Sequence, residues 1–86
     1  MSLVVHNASI TNNLKMNKSY LEQFARNLKR IRIEHHYTQD DLAVNGISRS
    51  MISLLELART DVTITKLKII ADNLGVSVKD LFDFKE

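Results

Sequence analysis

The chain of 86 residues has no cysteine, no proline and no tryptophan, and it has only two glycines. Without cysteine it can form no disulfide, and this composition fits a reducing compartment. No stretch approaches the roughly 20 apolar residues of a membrane span. The first residues also lack the basic and then apolar order of a secretion signal. We therefore expect a cytoplasmic protein with no membrane partner.

Length and composition indicate one small domain with a single core. The hydrophobic share of 44% is ordinary for a globular protein, and 86 residues are too few for two typical domains. A domain of this size has marginal stability when it has no disulfide. These properties favour association with a second copy.

The net charge of +2 is unevenly distributed along the chain. Residues 1–37 carry six basic and two acidic side chains, whereas residues 38–86 carry six basic and eight acidic ones. Such an uneven distribution of charge suits a protein that turns one surface to phosphates and another to a partner, although a solvated charged face would look similar.

The run TQDDLAVNGISRSMISLLE, from Thr38 to Glu56, has the pattern of two short helices joined by a tight turn. Thr38 and Asp41 have the spacing of a capping box, so we expect a helix to begin at Thr38 and to end near Asn45. Gln39 would lie on its first turn, where anions such as phosphate bind readily. Gly46 would supply the positive φ of the turn.

A second helix is predicted from Ser48, its N-cap, to about Leu57. Met51, Ile52 and Leu55 recur at helical spacing and form one apolar face. The opposite face carries Arg49, Ser50, Ser53 and Leu54, and an α-helix that presents such a face fits the major groove of DNA.

The whole chain is predicted to be all-α, with a flexible polar arm over residues 1–18 followed by a five-helix domain over residues 19–86. The arm could instead form an added strand. Ser19 and Glu22 form a second capping box for helix one, which ends near His36. Thr63 and Ser77 would cap helices four and five, with Asp80 completing the box at Ser77, and Gly75 would close helix four. The inward residues are expected to be Leu21, Phe24, Leu28 and Ile31 in helix one, Leu42 and Ala43 in helix two, and Ile64, Leu67, Ile70, Ala71 and Leu74 in helix four.

The segments LKRIRIEHHYTQDDLA, ISRSMISLLE and VTITKLKIIADNLGVSVKDLF resemble the lambda-repressor-like, or Cro-type, helix-turn-helix regulators of the xenobiotic-response-element group. The resemblance covers roughly residues 20 to 83 in the order of that family. The last segment is most similar to small stand-alone regulators, such as restriction–modification controller proteins and some phage or antitoxin-type repressors. The resemblance implies a compact helical DNA-binding domain.

The resemblance also implies roles for particular residues. Gln39 would contact a backbone phosphate, and Arg49 would face the bases, where arginine can hydrogen-bond guanine through two donors. Arg32 and Glu56 would form an internal salt bridge between helix one and the end of helix three. The full set expected at DNA is Gln39, Ser48, Arg49, Ser50, Ser53, Leu54 and Arg59.

The sequence departs from the family pattern at the turn and at the end of the recognition helix. The segment between Ala43 and Gly46 is one residue shorter than usual, so helix two ends early or the recognition helix is re-aimed. Leu54 and Leu57 replace polar or basic residues, and Ala58 stands where glycine often ends the helix. Leu54 would pack on a thymine methyl group or be a tolerated exposed leucine.

No pattern in the chain favours catalysis, a metal or a cofactor. His35 and His36 are adjacent, so they point about 100° apart on a helix, and no cysteine or acidic cluster with ligand spacing accompanies them. Asp40 and Asp41 are explained by helix capping. We expect no enzyme activity, no cofactor and no small-molecule ligand.

The sequence favours a transcription regulator that binds double-stranded DNA as a homodimer at a palindromic or nearly palindromic operator, with residues 48–57 in the major groove. The expected dimer surface is Val78, Leu81, Phe82 and Phe84. The alternative is a helix-turn-helix fold used as a protein-interaction module, an antitoxin-like subunit or adaptor, which would bind its partner through Leu54 and Leu57.

Overall fold

A computed structural model describes the backbone of residues 3–85 and the side chains of residues 18–85. This part of the chain contains four α-helices and no strand: α1 Leu3–Glu34, α2 Arg49–Glu56, α3 Ile64–Leu74 and α4 Val78–Leu81. A single 3-10 turn, Asp40–Leu42, lies between α1 and α2. The all-α class is confirmed, with four α-helices and one 3-10 turn in place of five helices.

Helix α1 begins far earlier than the sequence indicated. It runs continuously from Leu3, so the strand alternative for the polar arm is wrong. Ser19 lies inside the helix and not at an N-cap, and its Oγ accepts a hydrogen bond from Gln23 Nε2 at 3.4 Å. The flexibility of the arm and the domain boundary at residue 18 stay predictions, and residues 1–2 lie outside the described residues.

The second predicted helix is replaced by the 3-10 turn. Thr38 and Asp41 do form the expected capping box: Thr38 Oγ1 accepts from the Asp41 N–H at 3.1 Å, and Asp41 Oδ2 accepts from the Thr38 N–H at 2.7 Å. The helix nevertheless stops after Leu42, because Ala43 leaves helical geometry and Asn45 and Gly46 both adopt positive φ, 57° and 88°. Of the two consequences drawn from the shortened turn, early termination is therefore the one observed.

A single core holds the helices together. Buried side chains of α1, α2 and α3 meet in it, and Leu42 and Leu81 close it from the 3-10 turn and from α4. Ile64, expected in the core, is instead 85% exposed at the start of α3. Ala43 is only half-buried. Ile47, which lies in the turn before α2 and was not expected in the core, is buried. The core consists of Phe24, Leu28, Ile31, Leu42, Ile47, Ile52, Leu55, Leu67, Ile70, Ala71, Leu74 and Leu81.

The N-caps of the three later helices are confirmed. The hydroxyls of Ser48, Thr63 and Ser77 each accept a hydrogen bond from the backbone N–H three residues further on. Asp80 completes the capping box at Ser77. Gly75 ends α3 in the left-handed conformation, as its position predicts.

Helices α1 and α2 end in the same way as α3, but without glycine. His36 has φ of 63° and Ala58 has φ of 56°. After each of them, the next N–H reaches back five residues, from Tyr37 to Arg32 O at 3.0 Å and from Arg59 to Leu54 O at 2.9 Å. This hydrogen-bond pattern is the Schellman motif, which favours glycine at the left-handed position. Both helix ends therefore carry backbone strain.

Replacement of Ala58 by glycine should stabilise the domain. We expect Ala58→Gly to raise the free energy of unfolding by about 1 kcal/mol, because glycine has no Cβ to clash at positive φ. Urea denaturation measures the change. As the control, Ala71→Gly in the interior of α3 should lower stability by about 2 kcal/mol, because it combines the helix-propensity cost of glycine with the loss of a buried methyl group. A loss of stability in Ala58→Gly would contradict the strain at this position.

Candidate nucleic-acid interface

Helix α2 presents a polar face away from the core. Ile52 and Leu55 are buried on its inner side. On the outer side Arg49 and Ser50 are exposed, Ser53 is half-buried and Leu54 is 41% exposed. With Gln39 from the preceding turn, these four residues line one shallow concavity. The structure thus brings together five of the seven residues that the sequence nominated for DNA contact.

An ion pair fixes the C-terminal end of α2 on α1. Arg32 donates to Glu56 through two nitrogens, from Nε to Oε2 at 2.6 Å and from Nη2 to Oε1 at 2.8 Å. The side chains are only 11% and 3% exposed. Arg32 Nη1 also donates to the carbonyl of Tyr37 at 2.9 Å, so the same guanidinium closes the loop after α1.

Gln39 joins this ion pair to the outer concavity. Its Nε2 donates to Glu56 Oε1 at 3.1 Å, the same oxygen that accepts from Arg32. The hydrogen bond to Glu56 raises the pKa of Arg32, against the effect of partial burial. Arg32 is therefore a permanent cation whose interactions orient Glu56, and Glu56 in turn orients the amide of Gln39.

Two acidic residues border the concavity at the 3-10 turn. Asp40 Oδ1 lies 3.6 Å from Arg49 Nε, but both side chains are largely exposed, at 74% and 66%. Asp41 is engaged in the capping box, where hydrogen bonds from the Thr38 backbone and side chain lower its pKa. Exposed ion pairs are weak, so Asp40 orients Arg49 without locking it.

The turn between Leu42 and Gly46 is held by a residue that the sequence analysis missed. Asn73, on α3, donates through Nδ2 to the carbonyls of Leu42 and Val44, each at 3.1 Å. Its Oδ1 accepts from Asn45 Nδ2 at 2.8 Å. Asn73 thus pairs the Leu42 carbonyl and gives a second donor to the Val44 carbonyl, which also accepts from the Ile47 N–H at 3.2 Å. The only feature of the sequence that could have indicated this role is the amide side chain of Asn73 next to apolar residues of α3.

Asn27 has a similar role at the other end of the domain. It is 5% exposed, and its Nδ2 donates to the carbonyls of Asp80 and Leu81 at 3.1 and 2.8 Å. Its Oδ1 accepts from the guanidinium of Arg30. A buried amide on α1 therefore caps the last carbonyls of α4, and this contact also was not predicted.

The remaining nominated residues, Ser48 and Arg59, precede and follow α2. Ser48 is exposed, and its hydroxyl accepts from the Met51 N–H at 3.0 Å as the cap of α2. Arg59 is exposed in the loop that follows α2. Leu57, a residue of the alternative protein-binding surface, is the C-cap of α2 and is 58% exposed.

The expected dimer surface is wrong in one residue. Leu81 has no exposed area because it packs into the core of its own chain. Val78, Phe82 and Phe84 are half-buried against that core. The ring of Phe84 lies 5.3 Å from the ring of Tyr20, so part of the tail is already packed on α1.

The described residues provide no metal cluster and no membrane span. Among them, no three His, Cys, Asp or Glu side chains come together at a distance suited to a metal ion. None of the helices in the described part of the chain is both long enough and apolar enough to cross a bilayer.

Comparison with known families identifies the fold. Residues 28–81 match a family model described as Helix-turn-helix. The chain belongs to this family, whose members are Cro- and lambda-repressor-like regulators. The matched segment contains the ion pair, the 3-10 turn, α2 and α3. This helix-turn-helix protein is therefore a DNA-binding transcription regulator. No curated protein and no solved structure matches the chain.

Removal of one member of the ion pair should be costly in this helix-turn-helix domain. We expect Arg32→Ala to lower the free energy of unfolding by about 3–5 kcal/mol, because it leaves the Glu56 carboxylate buried without its cation. Urea denaturation measures this loss. Lys68→Ala is the control, since it breaks an exposed pair with Asp72 and should cost less than about 1 kcal/mol. Equal effects of the two variants would contradict the role of Arg32.

Loss of the Asn73 amide should destabilise the short turn. Asn73→Ala leaves the carbonyls of Leu42 and Val44 without this donor, and we expect a loss of about 1–3 kcal/mol in the free energy of unfolding. In the control, Asn45→Gly keeps the positive φ and removes one exposed hydrogen bond, so it should change stability by about 0.5 kcal/mol or less. If Asn73→Ala were as mild as the control, the turn would not depend on Asn73.

Proposed function

We propose that this helix-turn-helix regulator binds a palindromic or nearly palindromic operator as a homodimer, with α2 in the major groove. The observation that carries the proposal is the outer face of α2. Arg49, Ser50, Ser53 and Leu54 lie side by side there with Gln39, on a helix whose far end is fixed by a buried ion pair. A rigid helix with polar residues on its exposed face suits base recognition.

Arg49 is the proposed base-reading residue. It lies in the first turn of α2, and the N-terminal residues of a recognition helix normally reach the base edges. Its guanidinium can donate to both acceptors of guanine in the major groove. The competing contact with Asp40 is long and exposed, so exchange of Asp40 for a base costs little.

Gln39 is the proposed phosphate contact, with Ser48 and Arg59 at the edges of the same footprint. Gln39 is half-buried and hydrogen-bonded to Glu56. Its side chain therefore loses little conformational entropy when it binds a phosphate of the DNA backbone. Ser50 and Ser53 discriminate bases weakly because a hydroxyl both donates and accepts. Leu54 is placed to pack on a thymine methyl group.

A homodimer would place two copies of α2 in successive major grooves, about 10 bp apart. A small domain that has no disulfide also gains stability from association. The exposed parts of Val78, Phe82 and Phe84 offer one apolar surface for it. The protein would act in the cytoplasm, without a ligand or cofactor.

Loss of the Arg49 side chain should weaken specific DNA binding. We expect Arg49→Ala to reduce affinity for an operator duplex selected from a random library about 5- to 150-fold, the effect of losing one bidentate base contact. Fluorescence anisotropy against an operator duplex and a scrambled duplex, each at two salt concentrations, measures this change. Affinity for the scrambled duplex should change much less. Steep salt dependence is expected, because phosphate contacts release counterions.

The control for this prediction is Lys79→Ala, which removes one exposed positive charge from α4. It should leave operator binding within a few-fold of the unchanged protein. Equal losses in the two variants would contradict base reading by Arg49. Weak, equal and salt-insensitive binding to both duplexes would instead favour the protein-interaction module, whose surface is Leu54 and Leu57, 41% and 58% exposed.

A further inference from the structure

Asp40 carries a negative charge on the surface that is proposed to meet DNA. Its side chain is 74% exposed, and the contact described for its carboxylate is the one to Arg49, with Oδ1 3.6 Å from Nε. The neighbouring Asp41 is accounted for by the capping box with Thr38. A carboxylate beside DNA phosphates weakens binding to any sequence by repulsion. Asp40 therefore disfavours DNA binding in general, and a favourable effect of this residue must depend on the sequence that is bound.

The backbone on both sides of this contact is held in place. Gln39, just before Asp40, donates through Nε2 to the buried Glu56 carboxylate at 3.1 Å. Asp41, just after it, is fixed by the capping box. On the other side of the contact, Arg49 is the first residue of α2 and follows the N-cap directly. Both side chains therefore start from fixed points, and only their own torsion angles are left to adjust.

The contact with Asp40 uses one edge of the guanidinium. Arginine has five N–H donors, one on Nε and two on each terminal nitrogen. The carboxylate of Asp40 lies nearest to Nε of Arg49, so Nη1 and Nη2 are left for another partner. Guanine offers the acceptors O6 and N7 side by side in the major groove, and the two terminal nitrogens can donate to both of them. Arg49 can therefore keep its contact with Asp40 and bind a guanine at the same time.

We propose that Asp40 is a positioning residue for base recognition, which holds the Nε edge of Arg49 so that the two terminal nitrogens point at one guanine. This inference rests on the proposed function, in which Arg49 reads the bases. In the free protein the pair is weak, because both side chains are largely exposed to water. When the duplex displaces that water, the attraction between the two charges becomes stronger, because the local dielectric constant falls. The pair that breaks easily in the free protein is thus retained in the complex.

Asp40 acts in opposite directions on specific and non-specific binding. On DNA that has no guanine at the matching position, the charge of Asp40 only repels the phosphates. At an operator with that guanine, Asp40 has already restricted the rotamers of Arg49, so less side-chain entropy is lost when the base is bound. The same carboxylate therefore lowers affinity for other DNA and raises discrimination in favour of the guanine.

Asp40→Asn tests this role, because it removes the charge and keeps the size of the side chain. We expect affinity for a scrambled duplex to rise about 2- to 5-fold, because one repulsive charge is lost. Discrimination between the selected operator and the same duplex with the guanine of Arg49 replaced should fall about 3- to 10-fold, because Arg49 is no longer held. Fluorescence anisotropy of the full-length protein at two salt concentrations measures both effects. A gain of affinity that is equal for all duplexes would contradict the positioning role.

A double-mutant cycle with Arg49→Ala shows whether Asp40 acts through Arg49. The guanine is identified first, as the base whose replacement weakens binding by the unchanged protein much more than binding by Arg49→Ala. In the Arg49→Ala background, Asp40→Asn should change affinity for the operator and for the guanine-replaced duplex by the same factor. Asp72→Asn removes an exposed acidic charge from α3 and is the control, which should leave discrimination unchanged. Circular dichroism shows that each variant is folded.

The outcomes distinguish this inference from the proposed function. If Arg49→Ala relaxed discrimination at a guanine and Asp40→Asn did not, base reading by Arg49 would stand and the positioning role of Asp40 would be wrong. If Asp40→Asn altered discrimination equally with and without the Arg49 side chain, Asp40 would contact a base directly, which would also overturn the positioning role. If Arg49→Ala changed discrimination at no base pair, base reading by Arg49 and the positioning role would fail together.

Discussion

The orientation of α2 depends on the ion pair between Arg32 and Glu56. It joins the last turn of α1 to the last residue of α2, and its two side chains are nearly buried. Buried charges need full pairing, and here Arg32 meets Glu56 and the Tyr37 carbonyl while Glu56 also accepts from Gln39. This interaction therefore fixes the end of α2, the path of the loop after α1 and the orientation of a proposed phosphate contact.

The segments around this ion pair are irregular, and specific side chains compensate for it. Both helices that it joins end on non-glycine residues at positive φ, His36 and Ala58. The helix that should precede α2 is reduced to one 3-10 turn. Asn73 donates to the carbonyls of Leu42 and Val44 in the shortened segment, and the Leu42 side chain still fills the core from it. Strain and loss of helix are tolerated because tertiary contacts fix each end of the segment.

Local signals in the sequence predicted most of the fold. The caps at Ser48, Thr63 and Ser77 depend on short-range hydrogen bonds, so spacing alone identified them. The capping box at Thr38 was also predicted correctly. A cap starts a helix but does not decide its length, and here the positive φ of Asn45 and Gly46 prevents the helix from continuing. Ile64 and Leu81 exchanged their expected environments, because helical periodicity does not show which neighbour covers a face. Asn27 and Asn73 were missed since their partners are more than 25 residues away in the chain.

We propose that α2 and Gln39 form the surface that reads DNA. Nuclear magnetic resonance of the 15N-labelled protein, titrated with a duplex selected from a random library, tests it most directly. We expect the largest shifts at Gln39 and over Ser48–Leu54, with smaller ones at Arg59 and little change in the backbone of α3 after its first turn. Shifts confined to α3 and α4, or failure of the selection to enrich any sequence, would contradict it.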